Sequence, residues 1–524
     1  MVSTVVFAAL LGAVSPNNVS VAAAPVVVAQ QTAQPPQGQQ PDTAASTPPA
    51  SSAGSDEIAV LPPKTGDKSL ASAYPPGATF GLTPQPGGFY VSRWAEDWSY
   101  LKDPAKSDDL FDPLKFIPLT ADQSVYLTLS GDARFGFYSY SHPALSAKGS
   151  SVDAQLLRAT VAADLTVGPN LRFYVQLASA DVGGSGYNSI LAYSRSTLFV
   201  QQAFVEIKGD LAGAKVGTMI GRQEFTDGPI QLVSTRDVPN LHYEFNGARV
   251  YANWTNFRLD VFDLYSTQFE PGVFDTYPLW GQRLSGVNAS FVLPHVFGTK
   301  LFFDPFLFNY YNNAKTWGTV TGTDDIDAYG GRLWGEIGRA NVDWVFERQT
   351  GTFTNRNVDA FAVYTNQSYL LDDDAYQPRI GFHADVASGG GAYGKGTIHD
   401  VDYLFGQATY FSDGLLVVGQ NIIDVSPNIS FRPIKPMTLS FESEFLWRYA
   451  DDDSIYPSSK VPYANLQNVR GSYVGDLLRF KGNWTFNRHI SVGVALEYLD
   501  QSAAMTAAHL DNTFFTGSYL TLRF

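Results

Sequence analysis

No cysteine occurs in the 524 residues, which removes disulfides and thiolate metal sites from consideration. Only 4 residues are methionine and 16% are charged, against 14% aromatic. A helix-rich enzyme would carry more Glu, Lys and Leu, whereas Tyr, Phe, Trp, Thr and Val suit pleated surfaces. The 7 histidines are scattered, with neither HExxH nor paired spacing, so no metal site and no cofactor is expected. Of these, His383 draws attention because it shares a polar face with Arg379 and Asp385. "GGGAYGKG", Gly389 to Gly396, lacks the Lys-Ser/Thr ending and the following helix of a phosphate cradle, and reads as a flexible loop. With no catalytic constellation in view, the chain is not expected to be an enzyme, and no nucleic-acid partner is expected.

The opening "VVFAALLGAV", Val5 to Val14, is too short to span a bilayer and resembles a signal h-region, with small residues at "VAAAP" or "VVVAQ" as cleavage sites. No Lys or Arg precedes it, which points to a misplaced start codon; a non-secreted apolar leader is the alternative. Residues 1–30 are therefore expected to be a signal peptide. Residues 31–86, rich in Pro, Gln, Ala and Ser, have too little apolar surface to fold and read as a disordered linker.

What remains, residues 87–524, repeats one pattern. In "YLTLSGDARFGF", Leu127, Leu129, Ala133, Phe135 and Phe137 fall on one side of an extended chain, and Thr128, Ser130, Asp132 and Arg134 on the other. "LLRATVAADLTV", "LRFYVQLA", "LLRFKGNWTF" and "HISVGVALEYL" alternate likewise, and most of the polar faces carry full charges. Past Val125 no run approaches membrane-helix length, so a membrane can be spanned only by strands. Tight turns such as "GPN" (168–170), "TN" (255–256) and "NR" (487–488) alternate with long stretches such as Ala180–Thr197 and Tyr449–Gly471. Short turns at one rim and long loops at the other describe an all-β transmembrane antiparallel barrel. Counting gives about eighteen strands, or sixteen, since the segments between Gln349 and Asn428 are the weakest. Its apolar faces would meet lipid, and its charged faces a water-filled lumen.

Several blocks carry a family resemblance: "RWAEDWSYL" followed by "DPLKFIPL" and "YLTLSGDARF"; "GRQEFTDGPIQLVSTRDVPN" followed by "FNGARV"; and "GQNIIDVSPNISFRP" leading to "ADDDSIY". In that order, from about Arg93 to the terminus, they resemble the alginate-export family of Gram-negative outer-membrane proteins. The resemblance implies a monomeric barrel conducting an acidic polysaccharide past basic lumen residues. Carried over, these are Arg134, Arg158, Arg222, Arg236, Arg249, Arg332, Arg379 and the pair Arg479 and Lys481. Acids share these faces: Asp132, Asp164, Asp260, Asp385, Glu442 and Glu444 point inward with the arginines. They would either brace the wall as ion pairs or form, with the cations, a ladder of weak binding sites.

The closing "YLTLRF" ends in Phe524 and resembles the signal read by the barrel assembly machinery. Much of the net charge of -15 is placed in outer loops at Asp324 and Asp325, Asp372–Asp374 and Asp451–Asp453, read as solvated loop caps or as sites where divalent cations bridge to the lipopolysaccharide of the outer-membrane lipid. The expected function is an outer-membrane channel for anionic saccharides; the alternative is an uptake porin for small organic acids or aromatic compounds. A barrel enzyme or adhesion scaffold is the remaining class.

Overall fold

The computed structural model describes residues 89–524 apart from 147, 149–150, 188–193, 239 and 295–298. The expected signal peptide, the whole of the expected linker, and His295 lie outside the described residues.

A two-residue strand, β1 (Ile117–Pro118), precedes a wall of long strands. The first half of the wall is β2 (Val125–Tyr140), β3 (Val152–Val167), β4 (Leu171–Ser185), β5 (Ser196–Leu211), β6 (Ala214–Gln223), β7 (Phe245–Asn253), β8 (Phe257–Gln268), β9 (Tyr277–Val292) and β10 (Thr299–Trp317). The second half is β11 (Val320–Ile337), β12 (Ala340–Phe353), β13 (Arg356–Leu370), β14 (Arg379–Ala387), β15 (Ile422–Phe431), β16 (Met437–Arg448), β17 (Tyr473–Asn487), β18 (Ile490–Gln501) and β19 (Thr513–Arg523). Each strand pairs antiparallel with its sequence neighbour, and β19 pairs with β2 through Leu520 opposite Phe135. The eighteen strands β2–β19 thus close on themselves, and no edge is left unpaired.

Alternation fixes which side faces what. On β2, Phe135 is 51% exposed on the outer surface while its neighbour Arg134 is 3% exposed inside. Phe173, Ile220, Val250, Val261, Leu307, Phe382 and Leu478 continue the apolar outer band around the wall. Tight turns at one rim follow local chemistry. Between β5 and β6, Ala212 and Gly213 both take positive φ (51° and 78°), the twist that lets two strands fold straight back.

Three expectations change. The long connection expected over Ala180–Thr197 is shorter at both ends, because β4 runs on to Ser185 and β5 begins at Ser196. Of the acidic runs, only Asp451–Asp453 lies in a long loop: Asp324 and Asp325 belong to β11, and Asp372–Asp374 sit on the tight-turn side between β13 and β14. Asp324 is fully buried. "GGGAYGKG" is a loop whose start is anchored: Gly389 and Gly390 are buried and Gly390 N donates to Asp453 Oδ2 at 3.2 Å, while Gly394–Gly396 are exposed.

The face assignment makes a prediction. Phe135→Arg should sharply reduce the yield of folded barrel, scored by heat-modifiable gel mobility, because a cation near the bilayer midplane costs roughly 2–4 kcal/mol. Phe135→Leu should fold normally. Equal yields for the two variants would mean that β2 presents its other face to lipid.

Candidate functional site

Two long connections turn into the barrel rather than away from it. They are residues 224–244, between β6 and β7, and residues 388–421, between β14 and β15. Inside, they pair with each other: Ser234 N donates to Phe405 O at 3.0 Å, Phe405 N to Leu232 O at 2.9 Å, and Gln407 N to Ile230 O at 2.9 Å. Both carry large apolar side chains, and the wall answers in kind. Phe411, Leu416, Val417 and Val418 pack in one buried cluster with Phe306, Phe308, Val345, Ala360 and Tyr364, which point inward from β10, β12 and β13. Each of the Phe, Leu and Val side chains, fully buried, contributes on the order of 1.5–3 kcal/mol.

Charged groups fasten these loops to the wall. Asp402 accepts from Lys315 Nζ of β10 at 2.6 Å and pairs with Lys460 at 3.1 Å, while its backbone N–H and carbonyl bond reciprocally to the Gln349 side chain of β12. Burial alone would raise its carboxyl, but the two lysines hold it down at about 2. Glu497 of β18 accepts from Ser412 Oγ and Gly414 N, each at 2.8 Å, gripping the loop's inner turn. In the other loop, Asp237 receives Arg134 Nη1 at 2.9 Å and Arg158 Nη2 at 2.7 Å. Against the opposing effect of burial, these guanidinium groups keep Asp237 well below the usual carboxylate range. His242 lies between Glu224 (2.6 Å) and Asp237 (3.0 Å); burial disfavours its charge, yet the two acids outweigh it and raise its pKa.

At the tight-turn rim the segment before β1 folds across the opening. Trp94 stacks edge-on to Phe204 at 5.8 Å, and its carbonyl accepts from Arg172. Lys115 is buried over the rings of Phe89, Trp98 and Phe524, and burial pushes its ammonium down to about 7. At the far rim the buried Arg448 guanidinium donates to the carbonyls of Asp451, Asp453, Leu466, Val469 and Gly471, which shapes the loop 449–472.

The sequence-derived lumen residues fall into separate groups. Asp132 joins Arg134 and Arg158, lying 3.8 Å from Arg158 Nε. Arg249 faces Asp260 at 3.2 Å, and Arg332 makes a fork of two bonds to Asp343 at 2.6 and 2.7 Å. Arg222 bonds Val200 O, Thr276 Oγ1 and Asn246 Oδ1. Arg236 sits on the inward loop over the Tyr243 ring at 4.3 Å, and Arg379 heads β14 opposite Ser430. Asp385 accepts from Thr365 N at 2.8 Å and lies 2.9 Å from His383 Nδ1. Arg479 is a hub: its side chain, 1% exposed, meets Glu442 at 2.8 Å, Asp413 and Glu497 at 2.9 Å, and Glu444 closer still. Lys481 pairs with Asp413 at 3.1 Å.

Space persists between the inward loops and the wall of β2 and β17–β19. Tyr138, Tyr519, Lys481, Asn483, Thr409 and Asp413 line one part of this crevice. Arg134 and Asn240 line the adjoining part, where the Arg134 guanidinium lies 4.2 Å over the Tyr519 ring. The wall therefore offers cations, amides and aromatic faces side by side around two small adjoining spaces. Sequence reasoning missed Asp237, His242, Asp402 and Glu497. The usable signal was the apolar content of "DYLFGQATYFSDGLLVVGQ", too high for a loop in water.

A model of the alginate export family matches residues 125–500. Among solved structures, OccAB1 of Acinetobacter baumannii is 10% identical with a TM-score of 0.53, covering 79% of this chain and 99% of that one. OccK5 (OpdH) of Pseudomonas aeruginosa is 10% identical at 0.51, covering 76% and 98%. A BenF-like porin from Pseudomonas fluorescens Pf-5 is 7% identical at 0.51, with the same coverage. No curated protein matches the chain.

Proposed function

This chain belongs to the alginate export family and is a channel of the Gram-negative outer membrane, passing saccharides or organic acids; from that premise we propose that its cargo is a small carboxylate-bearing solute, an acidic saccharide unit above all. The crevice carries this reading. Lys481 and Arg134 reach it beside amides and two tyrosine rings, the mixture that suits a carboxylate attached to a sugar face. Each cation is already paired with an acid, Asp413 or Asp237, so an incoming carboxylate competes rather than binds outright. Weak, successive contacts favour passage over retention. An extended polymer needs more room than the docked loops leave, and would require the segment 388–421 to move. No covalent chemistry is part of this function.

The remaining assignments share that premise. Residues 1–30 act as a signal peptide and 31–86 as a linker before the barrel domain of 87–524. Strand closure consumes every edge, which favours a monomer, and Phe524 is the element addressed to the barrel assembly machinery. Of the basic residues, Arg134 and Lys481 act on cargo, and Arg158, Arg222, Arg236, Arg249, Arg332, Arg379 and Arg479 set the field around it.

Reversal potentials in planar bilayers test the reading. Lys481→Gln should lower anion over cation selectivity, with the larger change at low salt where the Debye length is about 30 Å rather than 10 Å. Uronate monomers should permeate wild-type liposomes while long alginate chains do not. Unchanged selectivity at 10 mM salt in a folded Lys481→Gln barrel would show that this cation does not act on passing ions.

A further inference from the structure

Beside the Arg479 hub, β14, β15 and β16 gather more acid than their neighbours neutralise. Asp385 and Asp424 are direct cross-strand partners, both buried, where like charges repel. With Asp413, Glu442, Glu444 and Glu497 they make six carboxylates facing Arg479, Lys481 and His383. With all six ionised, even a protonated His383 would leave a surplus of negative charge inside the protein, which must be met by protons or by a bound cation.

The histidine faces three of these acids, Asp385, Asp424 and Glu442. His383 Nδ1 shares a hydrogen bond with Asp385 Oδ2 at 2.9 Å and lies 3.4 Å from Asp424 Oδ2, so an ion bound at Nδ1 would replace the proton now held there. The longer separation matches the edge, roughly 3.3–3.4 Å, of a tetrahedron drawn with metal bonds of about 2.0–2.1 Å, and the shorter one would have to open by about 0.4 Å. The other oxygens are already committed: Asp385 Oδ1 accepts from Thr365 N and the Tyr410 hydroxyl, and Asp424 Oδ1 from Ser426. That leaves the two Oδ2 atoms turned toward the imidazole. Asp424 Oδ2 and Glu444 Oε2 are buried without a hydrogen-bond partner. On the far side of the ring, Glu442 Oε2 lies 3.5 Å from Nε2, the carboxylate position that orients a ligating histidine.

We propose that His383 Nδ1, Asp385 Oδ2 and Asp424 Oδ2 hold a divalent transition ion of the Zn²⁺ class in the lumen wall. An imidazole ligand with few oxygens suits such an ion, whereas Ca²⁺ takes six to eight oxygens. The ion offsets the surplus acid next to Arg479. Where the anion-channel reading also holds, it raises the potential met by cargo near Lys481.

The test refolds the full chain with Zn²⁺, removes unbound metal by desalting and measures metal per barrel, a readout independent of transport. Wild type should retain about one equivalent, and so should His509→Asn, which alters an exposed loop histidine. His383→Asn and Asp424→Asn should each retain little. X-ray absorption on wild type should give one nitrogen and otherwise oxygen ligands, which covers the case in which both variants misfold. Folded wild type retaining no zinc, equal retention by a folded His383→Asn, or a shell of several imidazoles would overturn the proposal.

Discussion

Arg479→Met should abolish the folded, heat-modifiable barrel or leave a small, cold-labile fraction of it. The guanidinium is surrounded by Asp413, Glu442, Glu444 and Glu497, and it also donates to the carbonyls of Thr409 at 2.8 Å and Tyr410 at 3.1 Å. Methionine fills a similar volume but leaves the four acids buried around a neutral side chain. Removing one partner of a buried ionic network costs about 3–5 kcal/mol, because the survivors keep their desolvation penalty and lose their attraction. Arg479→Lys should recover only part of this. A single ammonium cannot present the planar fork of donors that reaches both β16 acids, the β18 acid and the inward loop together. Adding Glu442→Gln and Glu444→Gln to Arg479→Met should restore folding in part, since two of the four acids then need no counter-ion and Asp413 keeps Lys481. A singly substituted Met variant with wild-type yield and thermal midpoint would show that the hub is hydrated and does not stabilise the barrel.

Much of the wall was readable from parity. In β2, β3, β4, β17 and β18 one face is apolar and the other charged, because there the wall meets lipid outside and ion pairs inside. Tight turns such as Gly168–Asn170 and Asn256 were visible from their turn residues. Between β10 and β13 the signal weakens for a physical reason. Phe303 and Leu307 face lipid while Phe306 and Phe308 face the inward loop, so both sides of one strand are apolar and the dyad disappears. Ion pairs within the wall were foreseeable: Arg172 with Asp164, or Arg332 with Asp343, lie on strands adjacent in sequence. Those with the inward loops were not. Asp237 reaches Arg134 across 103 residues and Asp413 reaches Arg479 across 66, and no local pattern encodes contacts of that range.

Excising residues 392–418 and joining Gly391 to Gly419 through a short Gly-Ser linker should raise single-channel conductance several-fold. The bridge is feasible because Ala387 and Ile422 are register partners on adjacent strands, so the loop is not needed to connect β14 to β15. Its removal takes away Phe405, Phe411, Leu416, Val417 and Val418, which fill the lumen beside β10–β13, and frees the 224–244 loop from its pairing at Phe405. The barrel should still close, since every interstrand hydrogen bond remains, but its thermal midpoint should fall as Tyr364, Val345 and Phe308 become wet. Arg479 would lose Asp413 and two carbonyls while keeping Glu442, Glu444 and Glu497, so the hub survives with less compensation. The same variant decides how the native channel handles size. If long acidic polysaccharide crosses the excised barrel but not the intact one, the inward loop is the size filter, and polymer passage in the native protein requires its displacement. Equal conductance in the excised and intact barrels would mean that ions already bypass the loop entirely, and the crevice beside Lys481 could not be the route that sets selectivity.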